Sequence, residues 1–160
     1  MLTNYAYRDA MARLTGAVNI ISSDGPAGRA GFTASAVCSV TDDPPMLLVC
    51  VNRSSRQDAL LQANGVLCVN TLAHQQEPIA RAFADSRLSL PQRFAAGDWS
   101  AMASGAPALD GALAVFDCRL EQRLEQGTHA VLFCHVLDVR VADGEPLVYF
   151  ERTFRQLQRP

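Results

Sequence analysis

Small and hydroxylated residues fill the segment 31–45 (GFTASAVCSVTDDPP), directly before the apolar run 46–51. Small side chains let a flat ligand approach the main chain, where backbone N–H groups can bind its oxygen and nitrogen atoms. The hydroxyls of Thr33, Ser35 and Ser39 add neutral hydrogen-bond donors. A half-buried strand rich in Thr and Ser has a similar composition. The segment therefore indicates either a platform for a planar ligand or an ordinary strand.

The polar segment from Asn52 to Arg56 is suited to binding an anion. It follows the apolar run and precedes a predicted helix, whose N-terminus offers free N–H groups and a partial positive charge. Arg53 and Arg56 add full charges, and Ser54 and Ser55 add hydroxyls. Such capping patterns also begin ordinary surface helices. A phosphate site and a simple capped helix therefore both remain open.

Two further segments carry side chains that suit a planar, charged ligand. His129 follows Gly127-Thr128 in a predicted turn, where a histidine can face a ligand or simply be solvated. Tyr149 and Arg152 lie at the end of the last predicted hairpin. A ring beside a guanidinium can stack on a planar ligand and pair with a phosphate. The alternative is a core aromatic residue beside an exposed charge.

The residues that the chain lacks exclude several kinds of chemistry. All 14 basic residues are Arg, so a Schiff-base lysine and a Walker A lysine are both absent. A G-x-G-x-x-G turn and a G-x-S-x-G motif are also absent. Cys134 and His135 are adjacent in a predicted strand and point to opposite faces, so they form no dyad. The five Cys and three His lack the spacing of metal ligands, and we predict no metal site.

Length and composition restrict the class of protein. With 160 residues, 49% of them hydrophobic, the chain is expected to form one domain over 1–160. The formal charge of −2 argues against nucleic acid as the main partner. No apolar stretch is long enough to span a bilayer, and the N-terminus lacks the pattern of a signal peptide. We therefore expect a cytoplasmic protein that binds neither nucleic acid nor membrane.

Short strands with few helices dominate the predicted elements. Helices are predicted around 3–15, from Ser55 to Asn64-Gly65, and from Pro78, with Ile79, Ala82 and Phe83 buried. Residues 85–110 are expected to be irregular. Strands are predicted at 17–22, 29–37, 46–52, 66–71, around 116–121, and at 131–141 and 146–150. This spacing favours a small β-barrel over a doubly wound sheet.

Several motifs together resemble the short-chain flavin reductases. They are Arg8-Asp9-Ala10-Met11-Ala12, Ala17-Val18-Asn19-Ile20-Ile21, the segment 31–45, Leu67-Cys68-Val69-Asn70-Thr71-Leu72, Gly127-Thr128-His129 and Tyr149-Phe150. Within this family, the stretch 74–84 (HQQEPIARAFA) is most similar to the reductase component of 4-hydroxyphenylacetate 3-monooxygenase. The flavin reductase of pyrimidine utilisation is a near second.

The resemblance implies a fold and a reaction. The fold would be a six-stranded Greek-key split β-barrel that binds FMN and works as a homodimer. NADH or NADPH would transfer hydride from nicotinamide C4 to flavin N5, a step that needs close stacked rings more than a general base. Reduced FMN or FAD would then pass to a partner flavin-dependent monooxygenase.

The resemblance also assigns site residues. Thr33, Ala34, Ser35 and Ala36 would line the flavin ring edge, with Ser39, Cys50, Val51 and Asn52 near the ring and ribityl chain. Ser55 and Arg56 would hold the phosphate, and His129, Tyr149 and Arg152 would bound the nicotinamide side. His129 is the side chain with the strongest claim to a catalytic role. Two alternatives remain: a flavin-binding sensor or carrier without turnover, and a barrel that binds a small molecule other than flavin.

Overall fold

The computed structural model describes residues 1–157, and a curled β-sheet dominates this part of the chain. The helices are α1 (Asn4–Met11), α2 (Arg56–Asn64), α3 (Glu77–Ala84) and α4 (Leu90–Phe94), and a short 3-10 turn covers His74–Gln76. The strands are β1 (Gly16–Ala17), β2 (Asn19–Ser23), β3 (Ala30–Ala34), β4 (Val37–Asp42), β5 (Pro45–Asn52), β6 (Val66–Thr71), β7 (Trp99–Ala101), β8 (Pro107–Leu109), β9 (Ala114–Gln126), β10 (His129–Val141), β11 (Leu147–Phe150) and β12 (Thr153–Gln156). The protein is mainly β with a few helices, as the sequence predicts.

The main sheet has its strands in the order β3-β2-β6-β9-β10-β5-β4, and every pair in it is antiparallel. Its two edge strands, β3 and β4, are joined by only Ser35 and Ala36. The Cα atoms of Ala34 and Val37 can therefore lie at most about 11 Å apart. The sheet must curl until its edges approach each other, which produces a split barrel. This barrel has seven strands where the resemblance implied six.

The barrel interior is an apolar cluster to which six of the seven strands contribute buried side chains. Its members are Ile21, Ala30, Leu47, Val49, Val51, Leu61, Leu67, Val69, Cys118, Ala130, Leu132 and Cys134. Strand residues alternate between the two faces of a sheet, so Ile20, next to Ile21, belongs to a second cluster on the outer face. β2 is thus buried on both faces.

The second cluster lies under α3, α4 and the β7–β8 hairpin. Phe83, Phe94 and Trp99 pack with ring centroids 4.9–5.6 Å apart. The Trp99 indole N–H also donates to the Phe94 carbonyl at 2.9 Å. Residues 85–110 are therefore less irregular than predicted. Ser89 and Gln92 form a capping box that begins α4, a signal that the sequence interpretation overlooked.

Helix α2 lies at one end of the barrel and buries Leu61 in the interior. Its predicted limits are confirmed, because the Ser55 hydroxyl accepts a hydrogen bond from the Gln57 N–H and Gly65 ends the helix with φ 68°. Asp58 does not complete a capping box with Ser55. Its carboxylate instead accepts from Arg123 Nε at 3.1 Å and from Arg123 Nη2 at 2.6 Å.

Three further expectations are corrected by the structure. The predicted strand 29–37 is two strands, because the chain turns at Ser35 and Ala36 where it passes between the sheet edges. In the strand predicted around 116–121, apolar and charged residues alternate, which predicts that Asp117 lies on the solvated face. Asp117 is instead fully buried, and it accepts from the Ser104 N–H at 3.0 Å and from the Ser104 hydroxyl. In α3, only Phe83 of the three residues expected to be buried is fully so.

Helix α1 forms as the periodicity predicts, but none of its residues is buried. Tyr7 and Met11 are 55% and 45% exposed, and Leu14 just beyond the helix is 64% exposed. The apolar side chains of α1 belong to neither of the two clusters. Among the described residues, no helix combines the length and the hydropathy needed to cross a membrane.

A small sheet, β1-β11-β12, holds α1 beside the barrel. β1 and β11 pair through Gly16 and Tyr149. Glu151 and Arg152 form the turn between β11 and β12, both with left-handed backbone (φ 50° and 59°). The Glu151 N–H donates to the Ala12 carbonyl at 2.8 Å, so this turn is attached to the C-terminal end of α1.

Candidate functional site

Three adjoining cavities form one cleft between α1, the β3–β4 link and β11. Their volumes are about 730, 450 and 210 Å³, and Tyr149 lines all three. The large cavity is in the range of small-molecule sites. The Tyr149 ring is fixed by an edge-on contact with Phe154, with centroids 5.4 Å apart. An aromatic side chain thus lies at the centre of a cleft large enough for a nucleotide.

The β3–β4 link forms one wall of this cleft. Ser35 and Ala36 line the large cavity and are exposed. Neither residue's backbone N–H donates to an acceptor within residues 1–157. The Ala36 carbonyl accepts from the Cys50 N–H at 3.0 Å, which ties the link to β5. Two unused donors on a fixed backbone segment suit the oxygen and nitrogen atoms of a planar ligand.

Other residues of the predicted platform have different roles. The Thr33 hydroxyl donates to the Ala80 carbonyl at 2.7 Å, so it attaches β3 to α3. Ala34 packs against the barrel interior. Val51 is 2% exposed and belongs to the interior cluster, so its side chain is not available to a ligand. Ser39 is exposed on β4 and lines none of the three cavities.

The predicted phosphate segment lies where β5 ends and α2 begins. Asn52 Oδ1 accepts from the N–H and the hydroxyl of Ser54, at 2.9 and 2.8 Å. The Arg53 guanidinium already has partners within the protein, because it donates to the Gly127 carbonyl at 3.0 Å and pairs with Glu125 at 2.5 Å. Arg56 makes no ion pair or hydrogen bond through its side chain in the described residues. Of the two arginines, Arg56 is the one free to bind an anion.

His129 lies next to this segment. It is the register partner of Asn52, so the start of β10 and the end of β5 meet there. The ring is exposed, and its Nδ1 lies 2.9 Å from the Thr128 hydroxyl.

Cys50, two residues before Asn52, is half-buried, and burial raises the pKa of its thiol. Cys50 is therefore held in its neutral form and is no candidate nucleophile.

The family follows from a match over most of the chain. The model of the flavin reductase-like domain matches residues 11–158. The chain belongs to the flavin reductase-like family. It is 54% identical to the FMN reductase (NADH) RutF of Variovorax paradoxus strain S110, over 96% of this chain and 86% of that protein. It is 52% identical to the protein of the same name from Klebsiella pneumoniae, over 97% and 94%.

Solved structures of flavin reductases share the fold. A proposed flavin reductase from Haemophilus somnus 129PT superposes with a TM-score of 0.94 at 40% identity, covering 98% of this chain and all of that one. BorF, the flavin reductase component of a bacterial two-component tryptophan halogenase, gives a TM-score of 0.91 at 28% identity, covering 99% and 100%. The split-barrel fold is therefore that of the flavin reductase-like family.

In this flavin reductase-like chain, the predicted site residues fall into two groups. Thr33, Ser35, Ala36, Tyr149 and Arg152 line the cleft. Asn52, Ser55, Arg56 and His129 meet at the end of the barrel that α2 occupies, and β5 connects the two groups through Cys50. The described residues contain no group of His, Cys, Asp and Glu that could hold a metal.

The sequence interpretation missed the contribution of α1 to this flavin reductase-like cleft. Arg8, Met11 and Leu14 line the large cavity together with Asn19 and Thr71. The periodicity of the segment predicts an amphipathic helix and assigns none of its residues to the site. Arg8 and Met11 do occur in the segment 8–12, the first of the motifs by which the sequence resembles the family. That motif could have indicated that α1 contributes to the site.

Proposed function

We propose that this protein is an NADH-dependent flavin reductase that supplies reduced FMN to a partner flavin-dependent monooxygenase. The observation that carries the proposal is the pair of unused N–H donors at Ser35 and Ala36 in a cleft of about 730 Å³. The curated relatives named FMN reductase (NADH) support both the cofactor and the hydride donor.

The chain offers groups that fit each part of FMN. The Ser35 and Ala36 N–H groups would bind the ring edge, and Arg56 with the N-terminus of α2 would hold the phosphate. Bound FMN would supply the N5 atom that accepts hydride from nicotinamide C4. The residues of this chain would hold the two rings together and exclude water, since hydride transfer needs close stacked rings. His129 would contact the nicotinamide side.

Pyrimidine utilisation is the setting we favour for the partner oxygenase. The sequence resemblance placed the 4-hydroxyphenylacetate 3-monooxygenase reductase first, with the pyrimidine-utilisation reductase second. The relatives at 52–54% identity carry the name RutF and favour that second assignment. Similar structures named as flavin reductases of a tryptophan halogenase and of styrene monooxygenase support a two-component system.

We also propose that the protein is a homodimer. Tyr7 and Met11 lie one turn apart on α1 and are 55% and 45% exposed, and an exposed apolar helix face of this kind indicates a protein interface. A second copy packing on α1 would cover these side chains. Light scattering on a size-exclusion column should give twice the chain mass, and Tyr7→Asp should shift the protein towards the monomer. A monomeric wild-type protein would refute this part.

NADH oxidation with and without added FMN or FAD tests the main proposal. We expect oxidation that depends on flavin and saturates, with FMN the better flavin. Flavin binding without NADH oxidation would instead indicate a sensor or carrier. A protein that neither binds flavin nor oxidises NADH would leave only the fold in common with the reductases.

A further inference from the structure

The large cavity of the cleft is positively charged in a protein whose net charge is negative. Arg8 and Arg152 line it, and none of its lining residues is acidic. The whole chain carries a formal charge of −2. Charge of one sign concentrated in a cleft attracts a ligand of the opposite sign. The cavity is therefore suited to a ligand that carries an anionic group.

Arg8 is available to such a ligand. Its guanidinium makes no ion pair or hydrogen bond within residues 1–157. Just beyond α1, by contrast, Arg13 pairs with Glu151 at 3.2 Å. Arg8 instead shares the cavity wall with the apolar side chains of Met11 and Leu14. An unpaired guanidinium beside apolar groups gains from binding phosphate in the two-point geometry that arginine favours.

Arg152 is brought to the same cavity by a costly backbone conformation. Glu151 and Arg152 both have positive φ, which non-glycine residues rarely adopt. The bond from the Glu151 N–H to Ala12 and the Glu151–Arg13 pair attach this turn to α1. The only acidic contact of Arg152 in the described residues is Asp9, at 3.6 Å and exposed. The turn and α1 together contribute two guanidiniums to the lining of the large cavity.

We propose that Arg8 and Arg152 bind the pyrophosphate of the nicotinamide dinucleotide that donates hydride. This assignment rests on the proposed reductase function. FMN carries one phosphate, for which Arg56 at the start of α2 is already the free cation. The second cationic site adjoins Ser35, Ala36 and Tyr149 in the same cavity. A nicotinamide dinucleotide carries both a ring that can stack at this wall and an anionic pyrophosphate that the guanidiniums of Arg8 and Arg152 would bind.

Comparing two hydride donors distinguishes loss of pyrophosphate binding from a general disturbance of the active site. NADH carries the pyrophosphate, whereas reduced nicotinamide riboside has the same reactive ring and no phosphate. Steady-state kinetics would compare Arg8→Gln and wild type with each donor at saturating FMN. Arg119→Gln is the matched control, because it removes the same charge from an exposed residue of β9 that pairs with Glu121. FMN titration and NADH binding, followed by fluorescence, complete the set.

Arg8→Gln should raise the KM for NADH about ten-fold, the loss expected for one charge-assisted hydrogen bond. The kcat, the FMN dissociation constant and the kinetics with the riboside should not change, and Arg119→Gln should behave as wild type. An unchanged KM for NADH, an equal loss with both donors, or weaker FMN binding would each overturn the assignment. Wild-type protein that does not bind NADH at all would refute the reductase function itself, and this assignment with it.

Discussion

The end of the barrel that α2 occupies contains a buried ion pair, Arg123–Asp58, whereas the ion pairs Arg13–Glu151 and Arg152–Asp9 on the side along which α1 lies are exposed. At the α2 end, Arg123 pairs with Asp58 and Glu125, and Arg53 pairs with Glu125. These contacts lower the pKa of the Glu125 carboxyl, chiefly through the hydrogen bond from Arg123. On the α1 side, Arg8 is unpaired in the described residues and the apolar residues of the helix are exposed.

This difference separates groups that stabilise the fold from groups that are free to bind. Asp58 is 4% exposed, and a buried carboxylate requires its partner. These ion pairs occupy the guanidiniums of Arg123 and Arg53, so neither residue is available to bind a ligand. The exposed arginines Arg8, Arg56 and Arg152 contribute little to the fold, and they are the ones we assign to phosphates. Substitutions in the two regions should therefore change different measured quantities.

The largest effect is expected for Arg123→Met at the α2 end. It leaves Asp58 buried without its cation, which should lower the free energy of unfolding by about 3–5 kcal/mol. Arg119→Met is the matched control, since its pair with Glu121 is exposed and worth about 0–1 kcal/mol. Urea unfolding measures both variants. Equal losses would mean that the Asp58 pair is no more important than a surface pair.

Arg56→Ala should weaken FMN binding by about 1.5–3 kcal/mol, the contribution of a hydrogen bond to a charged group. The unfolding free energy should stay near that of wild type, because Arg56 is exposed and makes no side-chain contact in the described residues. Flavin fluorescence titration gives the dissociation constant. Unchanged FMN affinity would remove Arg56 from the phosphate site.

Gly31→Ala should lower stability by about 1–3 kcal/mol through overpacking. A Cβ atom at this position would come within 2.6 Å of Cε1 of the buried Phe83 ring. The Gly31 N–H also donates to Gln57 Oε1 at 2.8 Å, so a backbone shift would disturb the contact with α2. Thermal unfolding tests this. Wild-type stability would show that the Phe83 ring can shift to accommodate the added methyl group without cost.

His129→Ala should have the smallest effect. We expect the KM for NADH to rise by the equivalent of about 0.5–1.5 kcal/mol, the contribution of one neutral hydrogen bond. FMN affinity should remain almost unchanged. Stability should not change, since the ring is exposed and its contact is with the neighbouring Thr128. Steady-state kinetics at saturating FMN would decide. An unaltered KM would exclude His129 from the nicotinamide side.

Local signals predicted the α2 end well and the α1 side poorly. The cap at Ser55, the stop at Gly65 and the apolar run of β5 are encoded within a few residues, and all three occur in the structure. The role of α1 depends on a distant contact, the attachment of the 151–152 turn to Ala12. The burial of Asp117 likewise requires Ser104, thirteen residues away in sequence. Periodicity carries no information about such partners.

FMN titration of two variants tests most directly whether the β3–β4 link forms the flavin platform. Ala36→Phe fills the large cavity at an exposed position, whereas Ser39→Phe adds the same ring to β4 outside the cleft. We expect Ala36→Phe to abolish FMN binding while the unfolding free energy is unchanged, and Ser39→Phe to bind as wild type does. FMN binding by Ala36→Phe with wild-type affinity would contradict the account.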